Sequence, residues 1–256
     1  MLNYLKAEFW RFFRRPAGRV IWGAAVLLPV LLNLLLWIVS LYTRNKWPQW
    51  MFTLESTCSE AALLMPIAGI FFLMAVVDVA FADENRLGIL KNSVAAGFSR
   101  HILYWGKILS GLLLAIFHLV SAWISFLVSG FVLLPVNWGE IGKTAEGVWS
   151  VLLAVFPLWL GVLGILYLLY FSFQNGLVAA VTTAVASLFL PMLAGLDFPW
   201  LQSVLENQLL IGFVGILLGA TLDLWDIMAK FWIMGSGYFL VSVLAGWILF
   251  CRRDIR

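Results

Sequence analysis

The sequence predicts an all-α, polytopic membrane protein with six transmembrane helices. Three observations carry this. Six apolar runs of about 20 residues recur along the chain, each able to cross ~30 Å of hydrocarbon at 1.5 Å per residue. Of 256 residues, 63% are hydrophobic and 11% charged, where a soluble domain carries about 25% charge. Basic residues gather at alternate ends of the runs, as the positive-inside rule requires. The runs are continuous rather than alternating, so helix is expected and a barrel strand is not.

The first element is an amphipathic helix over residues 1–15, within an interfacial segment 1–18. Leu2, Leu5, Phe9, Phe12 and Phe13 share one face, and Glu8, Arg11, Arg14 and Arg15 the other. Such a helix is expected in the headgroup layer with its aromatic face toward lipid. The plainer reading is a positive anchor that only sets topology. Pro16 and Gly18 end the helix.

The six spans are expected at Val20–Tyr42, Ala61–Ala82, Lys107–Leu134, Val148–Phe171, Leu177–Gly195 and Phe231–Cys251. The first is too long for a signal-peptide core and lacks a cleavage site. Pro29, Pro66, Pro157 and Pro191 each remove a helix hydrogen bond and can kink their spans. The fifth span is rich in small residues. Ala180, Thr183, Ala184 and Ser187 predict close helix contact, within the bundle or across a dimer. Nine tryptophans, including Trp22, Trp50, Trp105, Trp138, Trp149 and Trp232, fall near expected interfaces as an aromatic belt.

The 196–230 segment is expected outside. Its apolar centre, Leu209–Leu222, is too short to cross and carries Gly212, Gly215 and Gly219. Short re-entrant helices fit it, either lining an exit path or covering the membrane surface. Six spans place both termini and the 83–106 loop in the cytoplasm. That side then holds twelve of the sixteen Lys and Arg residues, against Arg44, Lys46, Lys143 and Lys230 outside. A seventh span would send Arg252, Arg253 and Arg256 out. The whole chain, 1–256, reads as one membrane domain.

Motifs for chemistry are few. Cys58 and Cys251 fall near opposite faces, and neither a disulfide framework nor metal spacing is present. The histidines are His101 and His118, with no His-Glu-x-x-His or Gly-x-Ser-x-Gly string. A membrane enzyme would need His118, Asp78 and Glu55 to meet, and their expected depths differ. His118 is a functional candidate by its intramembrane position, although a neutral histidine bonded to a neighbouring helix explains it more simply. No phosphate-binding loop exists: Gly106–Lys107 lacks both the upstream glycine and the following hydroxyl. Any ATP hydrolysis therefore belongs to another chain. No cofactor is expected in this one, and nothing points to nucleic acid.

The loop Asp83–Lys107 reads DENRLGILKNSVAAGFSRHILYWGK. Leu87, Ile89, Leu90 and Val94 predict a short amphipathic helix, and Gly97 and Ser99 break it before Arg100. A helix between two spans is a lever that a soluble partner can grip; the alternative is a solvated connector. With Lys6 and Glu8 near the start, and Glu84, Arg86, Gly88, Leu90, Lys91, Ser99, Arg100 and Lys107 here, the chain resembles the ABC-2 type permeases. These are membrane subunits of ATP-driven exporters, with six spans and an acidic-x-Arg-x-Gly-x-hydrophobic-Lys…Ser-Arg…Lys pattern in the second-to-third loop.

The resemblance implies a coupling helix at about Asp83–Gly97 that docks on an ATPase subunit. Asp83, Glu84 and Arg86 would make the charged contacts. Gly88, Gly97 and Ser99 would shape the loop, and Arg100 and Lys107 would anchor the third span at the headgroups. It also implies two ATPase copies binding ATP and Mg2+, a second permease copy and a bacterial plasma membrane. In size and layout the chain is most similar to permeases of peptide-toxin exporters and lantibiotic-immunity systems. Drug or lipid export with the same architecture stays open.

Overall fold

The computed structural model describes residues 2–43, 48–86, 97–173, 175–193 and 224–252. It contains α1 (Leu2–Arg14), α2 (Pro16–Thr43), a 3-10 turn (Gln49–Phe52), α3 (Leu54–Arg86), α4 (Arg100–Leu133), α5 (Ile141–Phe173), α6 (Gly176–Leu193) and α7 (Leu224–Arg252). No strand occurs among the described residues.

The helices run past the apolar windows because capping and turn residues, not hydropathy, set their ends. Thr53 starts α3 seven residues before the expected Ala61: its Oγ1 accepts from Ser56 N at 3.4 Å. Ser99 starts α4 seven residues before Lys107, its side chain accepting from Ile102 N at 3.4 Å. Pro16 opens α2, a position where its missing N–H costs nothing. The turn from α1 into α2 is tight, and a Cβ at Gly18 would fall 2.1 Å from Phe12 O.

Among the described residues, four helices, Pro16–Thr43, Arg100–Leu133, Ile141–Phe173 and Met228–Arg252, are long and apolar enough to cross a membrane. The helices α3 and α6 stand where the second and fifth spans were expected. The expected external segment 196–230 overlaps α7, whose first turns begin at Leu224; its apolar centre lies outside the described residues.

The core is built around α5. Of its apolar window 61% is buried, against 17% for α2. Leu158, Leu163, Leu166 and Tyr167 on α5 have almost no exposed surface. By contrast, Leu27, Leu28, Leu31 and Leu35 of α2 lie open, while Ala25, Pro29 and Asn33 form its narrow buried stripe. This inverts the pattern of a soluble helix and suits a helix whose outer face meets hydrocarbon.

Polar groups stitch the bundle where apolar packing gives no register. Asn33 Nδ2 donates to Phe126 O and Ser129 Oγ, each at 2.7 Å, tying α2 to α4. Tyr104 Oη donates to Val243 O at 2.6 Å, tying α4 to α7. Tyr167 Oη donates to Ile108 O at 3.2 Å, tying α5 to α4.

The helices α5 and α7 approach each other closely. A Cβ at Gly164 would lie 2.8 Å from Phe239 Cα, and one at Gly235 would lie 2.1 Å from Pro157 O. The small residues of the fifth span also pack inside the bundle. Ala180 and Ala184 lie against the main core, and buried Thr183 donates to Ala179 O at 2.9 Å. The Ser187 side chain lies outside the described set.

Backbone, not a flexible side chain, blocks Gly235, so Gly235→Ala should force α5 and α7 apart and cost about 1–3 kcal/mol or more. Gly237, which has open space around it, is the control. Thermal unfolding in detergent should show a lowered midpoint for Gly235→Ala and an unchanged or raised one for Gly237→Ala.

Candidate functional site

The site lies at the end of the bundle that carries the 87–96 segment. There α1 crosses α3 and α4, the two helices that lead into and out of that segment. Its aromatic face meets protein. Phe12 is buried with Val76 of α3 and Leu114 of α4, with Phe9, Phe13, Ile21 and Val79 around them. Edge-on ring contacts join Phe12 to His118 at 5.2 Å and Phe13 to Phe117 at 5.6 Å. Gly106 leaves room for Tyr4, whose ring would lie 2.8 Å from a Cβ there. The lipid-facing orientation expected for Phe12 is therefore corrected: the bundle offers it an aromatic and aliphatic slot, and Leu5 beside it is half-buried.

Beside this apolar contact sits a buried charge cluster. Glu8 and Lys107 are 7% and 1% exposed, and Lys107 Nζ donates to Glu8 Oε2 at 2.9 Å. Arg11 Nη2 donates to the same oxygen. Both cations also reach the backbone of α3: Lys107 Nζ donates to Ala80 O at 3.3 Å and Arg11 Nη2 to the same carbonyl at 3.4 Å. Arg15 Nη1 donates to Val79 O. One helix thus holds both neighbours through ion pairs and carbonyl bonds in a poorly solvated place, where such contacts are strong and their loss is costly.

This corrects two expectations. Glu8, with the guanidiniums of Arg11 and Arg15, turns into the bundle rather than outward on a polar face, and Lys107 is buried rather than placed at headgroups. Lys107 lies two turns inside α4, so its ammonium needs an anion within the protein, and Glu8 supplies it. The signal was present in Ser99: a helix beginning there places Lys107 at depth.

The remaining predicted residues distribute as follows. Asp83, Glu84 and Arg86 form the last turn of α3, with side chains outside the described set. Gly88, Leu90 and Lys91, and most of the expected coupling helix, lie outside the described residues. Gly97 has φ +90°, a left-handed conformation that favours glycine. Ser99 is the cap of α4. Arg100 Nη1 donates to Cys251 O at 3.0 Å, closing the C-terminal end of α7, where a cation meets unpaired carbonyls. Trp247 Nε1 donates to His101 Nδ1 at 3.1 Å beside it.

The enzyme candidates do not converge. His118 Nδ1 lies 2.6 Å from Leu114 O of its own helix. Glu55 Oε1 accepts from Asn137 N at 2.6 Å, toward the other end of the bundle. Asp78 lies against Gly176, where a Cβ would fall 1.9 Å from Oδ1. Its carboxylate thus meets the first turn of α6, a favourable place for an anion. Among the described residues no group of three or more His, Cys, Asp or Glu could hold a metal.

The fold and site define a multi-pass, all-helical membrane protein in which α1 ties α3 to α4. Its sequence matches the model of the ABC-2 family transporter protein over residues 4–190. That span is more than half of the chain, from the first turn of α1 to near the end of α6, and the chain belongs to this family. Its members are transmembrane components of transporters and generally work with an ABC ATPase. No curated protein matches the sequence.

Glu8→Ala would remove the carboxylate that Lys107 and Arg11 share. Breaking one partner of such a buried set should cost about 3–5 kcal/mol. Proteolysis of the membrane-embedded chain should then cut within α1 far faster than in the unaltered protein.

Proposed function

We propose that this chain is the permease subunit of an ATP-driven exporter, carrying amphipathic or hydrophobic cargo out of the bacterial plasma membrane. The cargo class proposed is peptide, in toxin or bacteriocin export or self-protection. The chain crosses six times with both termini in the cytoplasm. It works as a dimer with two ATPase copies, which bind ATP and Mg2+.

The observation that carries this reading is the clamp. The helix α1 fastens α3 and α4 near the ends that flank the connection between Arg86 and Arg100, so a force applied to that connection reaches both helices together. Arg100 passes the same displacement to α7 through Cys251 O. ATP binding by the partners would draw the two loops together and shift the bundles between inward and outward arrangements.

The nature of the cargo is supported by the clefts of the bundle. Cavities of about 170 and 300 Å³ lie between its helices. They share Leu119 and Trp159 and are walled almost wholly by apolar side chains. Such walls suit the apolar part of an amphipathic molecule.

The variant Glu84→Ala with Arg86→Ala removes the proposed charged contacts with the ATPase. In proteoliposomes with the partner ATPase, cargo movement should fall at least about tenfold, as loss of a charge-assisted contact of 1.4 kcal/mol or more would give. The chain should still insert in normal amount. Unchanged transport would remove the loop as the coupling site.

A further inference from the structure

At the end of the bundle away from the clamp, a cavity of about 280 Å³ opens between the 3-10 turn, the start of α3 and the start of α5. Glu55 and Glu140 line it, with Trp50 at one side. The Glu55 residue is 6% exposed. One of its oxygens accepts from Asn137 N, and the other, Oε2, is buried with no hydrogen-bond partner. A buried carboxylate oxygen left in this state calls for a donor.

Three of the hydroxyls that line the cavity or its rim, on Thr53, Ser56 and Ser59, donate elsewhere. Thr53 Oγ1 donates to Trp50 O at 3.1 Å, Ser56 Oγ to Met51 O at 2.8 Å and Ser59 Oγ to Glu55 O at 3.1 Å. Each turns its proton to the backbone and leaves lone pairs for the cavity. Backbone donors at the α3 start are engaged too, Ser56 N by Thr53 Oγ1. Leu54 N donates to Pro135 O and Thr57 N to Thr53 O. Two helix N-termini, of α3 and α5, approach here and carry roughly half a positive charge each. Two carboxylates exceed them, so the lining is acceptor-rich and net negative. Exposed Trp50 adds a π face for a cation.

We propose that this cavity binds a primary ammonium or guanidinium group. Its lining has too few carboxylates and no histidine for a metal, and it is sized for one cationic side chain or headgroup rather than a whole drug-like molecule. The group has two sources, a lysine or arginine of a peptide and the amine of a phospholipid headgroup. The proposal names a contact for the cationic part of an amphipathic cargo, but binding itself needs neither the ATPase nor transport. It therefore stands or falls apart from the export reading.

The test uses the full-length chain in phosphatidylcholine nanodiscs, titrated with radiolabelled tetralysine. Glu55→Gln keeps the shape and an oxygen for Asn137 N but removes the charge, and should weaken binding by at least about tenfold. Trp50→Leu, at an exposed position, should weaken it about two- to fivefold. Glu140→Gln, also exposed, should weaken it measurably and guards against a Glu55→Gln protein that fails to fold. Adding phosphatidylethanolamine to the discs separates the sources. Competition with tetralysine supports the ammonium site with lipid as its occupant, and no competition supports it with peptide. Equal binding by wild type, Trp50→Leu and Glu140→Gln would overturn the proposal, as would no binding in either lipid.

Discussion

An ammonium two turns inside an apolar helix must meet an anion, and in this chain the anion comes from another helix. Lys107 of α4 finds Glu8 of α1, and both lie almost fully out of solvent. The need for this pair fixes where α1 lies. Once Glu8 is placed, the turn of α1 brings Arg11 and Arg15 to the carbonyls of α3 and Phe12 into the slot between Val76 and Leu114. Gly18 then allows the chain to fold back into α2 within a few residues. A segment that would otherwise rest on the membrane surface becomes part of the bundle.

The same constraint gives the molecule its mechanical character. The helices α3 and α4 are joined through the 87–96 segment, and α1 bridges their ends by the Glu8–Lys107 ion pair, carbonyl bonds and ring contacts. Such bonds are directional, unlike the apolar contacts elsewhere in the bundle, so they hold a register under load. At the start of α4, Arg100 extends the joint to the end of α7. The helix α7 in turn sits backbone to backbone against α5 at Gly164 and Gly235. Contacts thus run without a break from the α1 joint to the centre of the bundle.

Much of the fold was legible because hydropathy reports directly on a lipid solvent. Every expected span overlaps a long helix, and the amphipathic first helix spans Leu2–Arg14 where residues 1–15 were expected. Helix ends were less legible, since an apolar window stops where hydrocarbon does while a helix stops where its cap is, as Thr53 and Ser99 show. The site was legible only in outline. Glu8 and Lys107 were both named as parts of the family pattern, 99 residues apart. Their meeting was not visible, because amphipathic periodicity cannot tell a face that meets lipid from one that meets protein. Asn33 was passed over for a related reason: one amide in an apolar run leaves no period. The small residues of the fifth span were expected to pack closely and Ala180, Thr183 and Ala184 do lie in or against the core, but the close approaches at Gly164 and Gly235 left no such stripe to read.

The most direct measurement is a pulsed electron-resonance distance between spin labels at Trp10 and Ile102. Both are exposed, one on α1 and one on α4, and the background would lack Cys58 and Cys251. The account predicts one narrow distance distribution in the parent protein and a broad one when Lys107→Met removes the buried cation. Equally narrow distributions in both would contradict it, and would mean that α1 is held by its aromatic face alone.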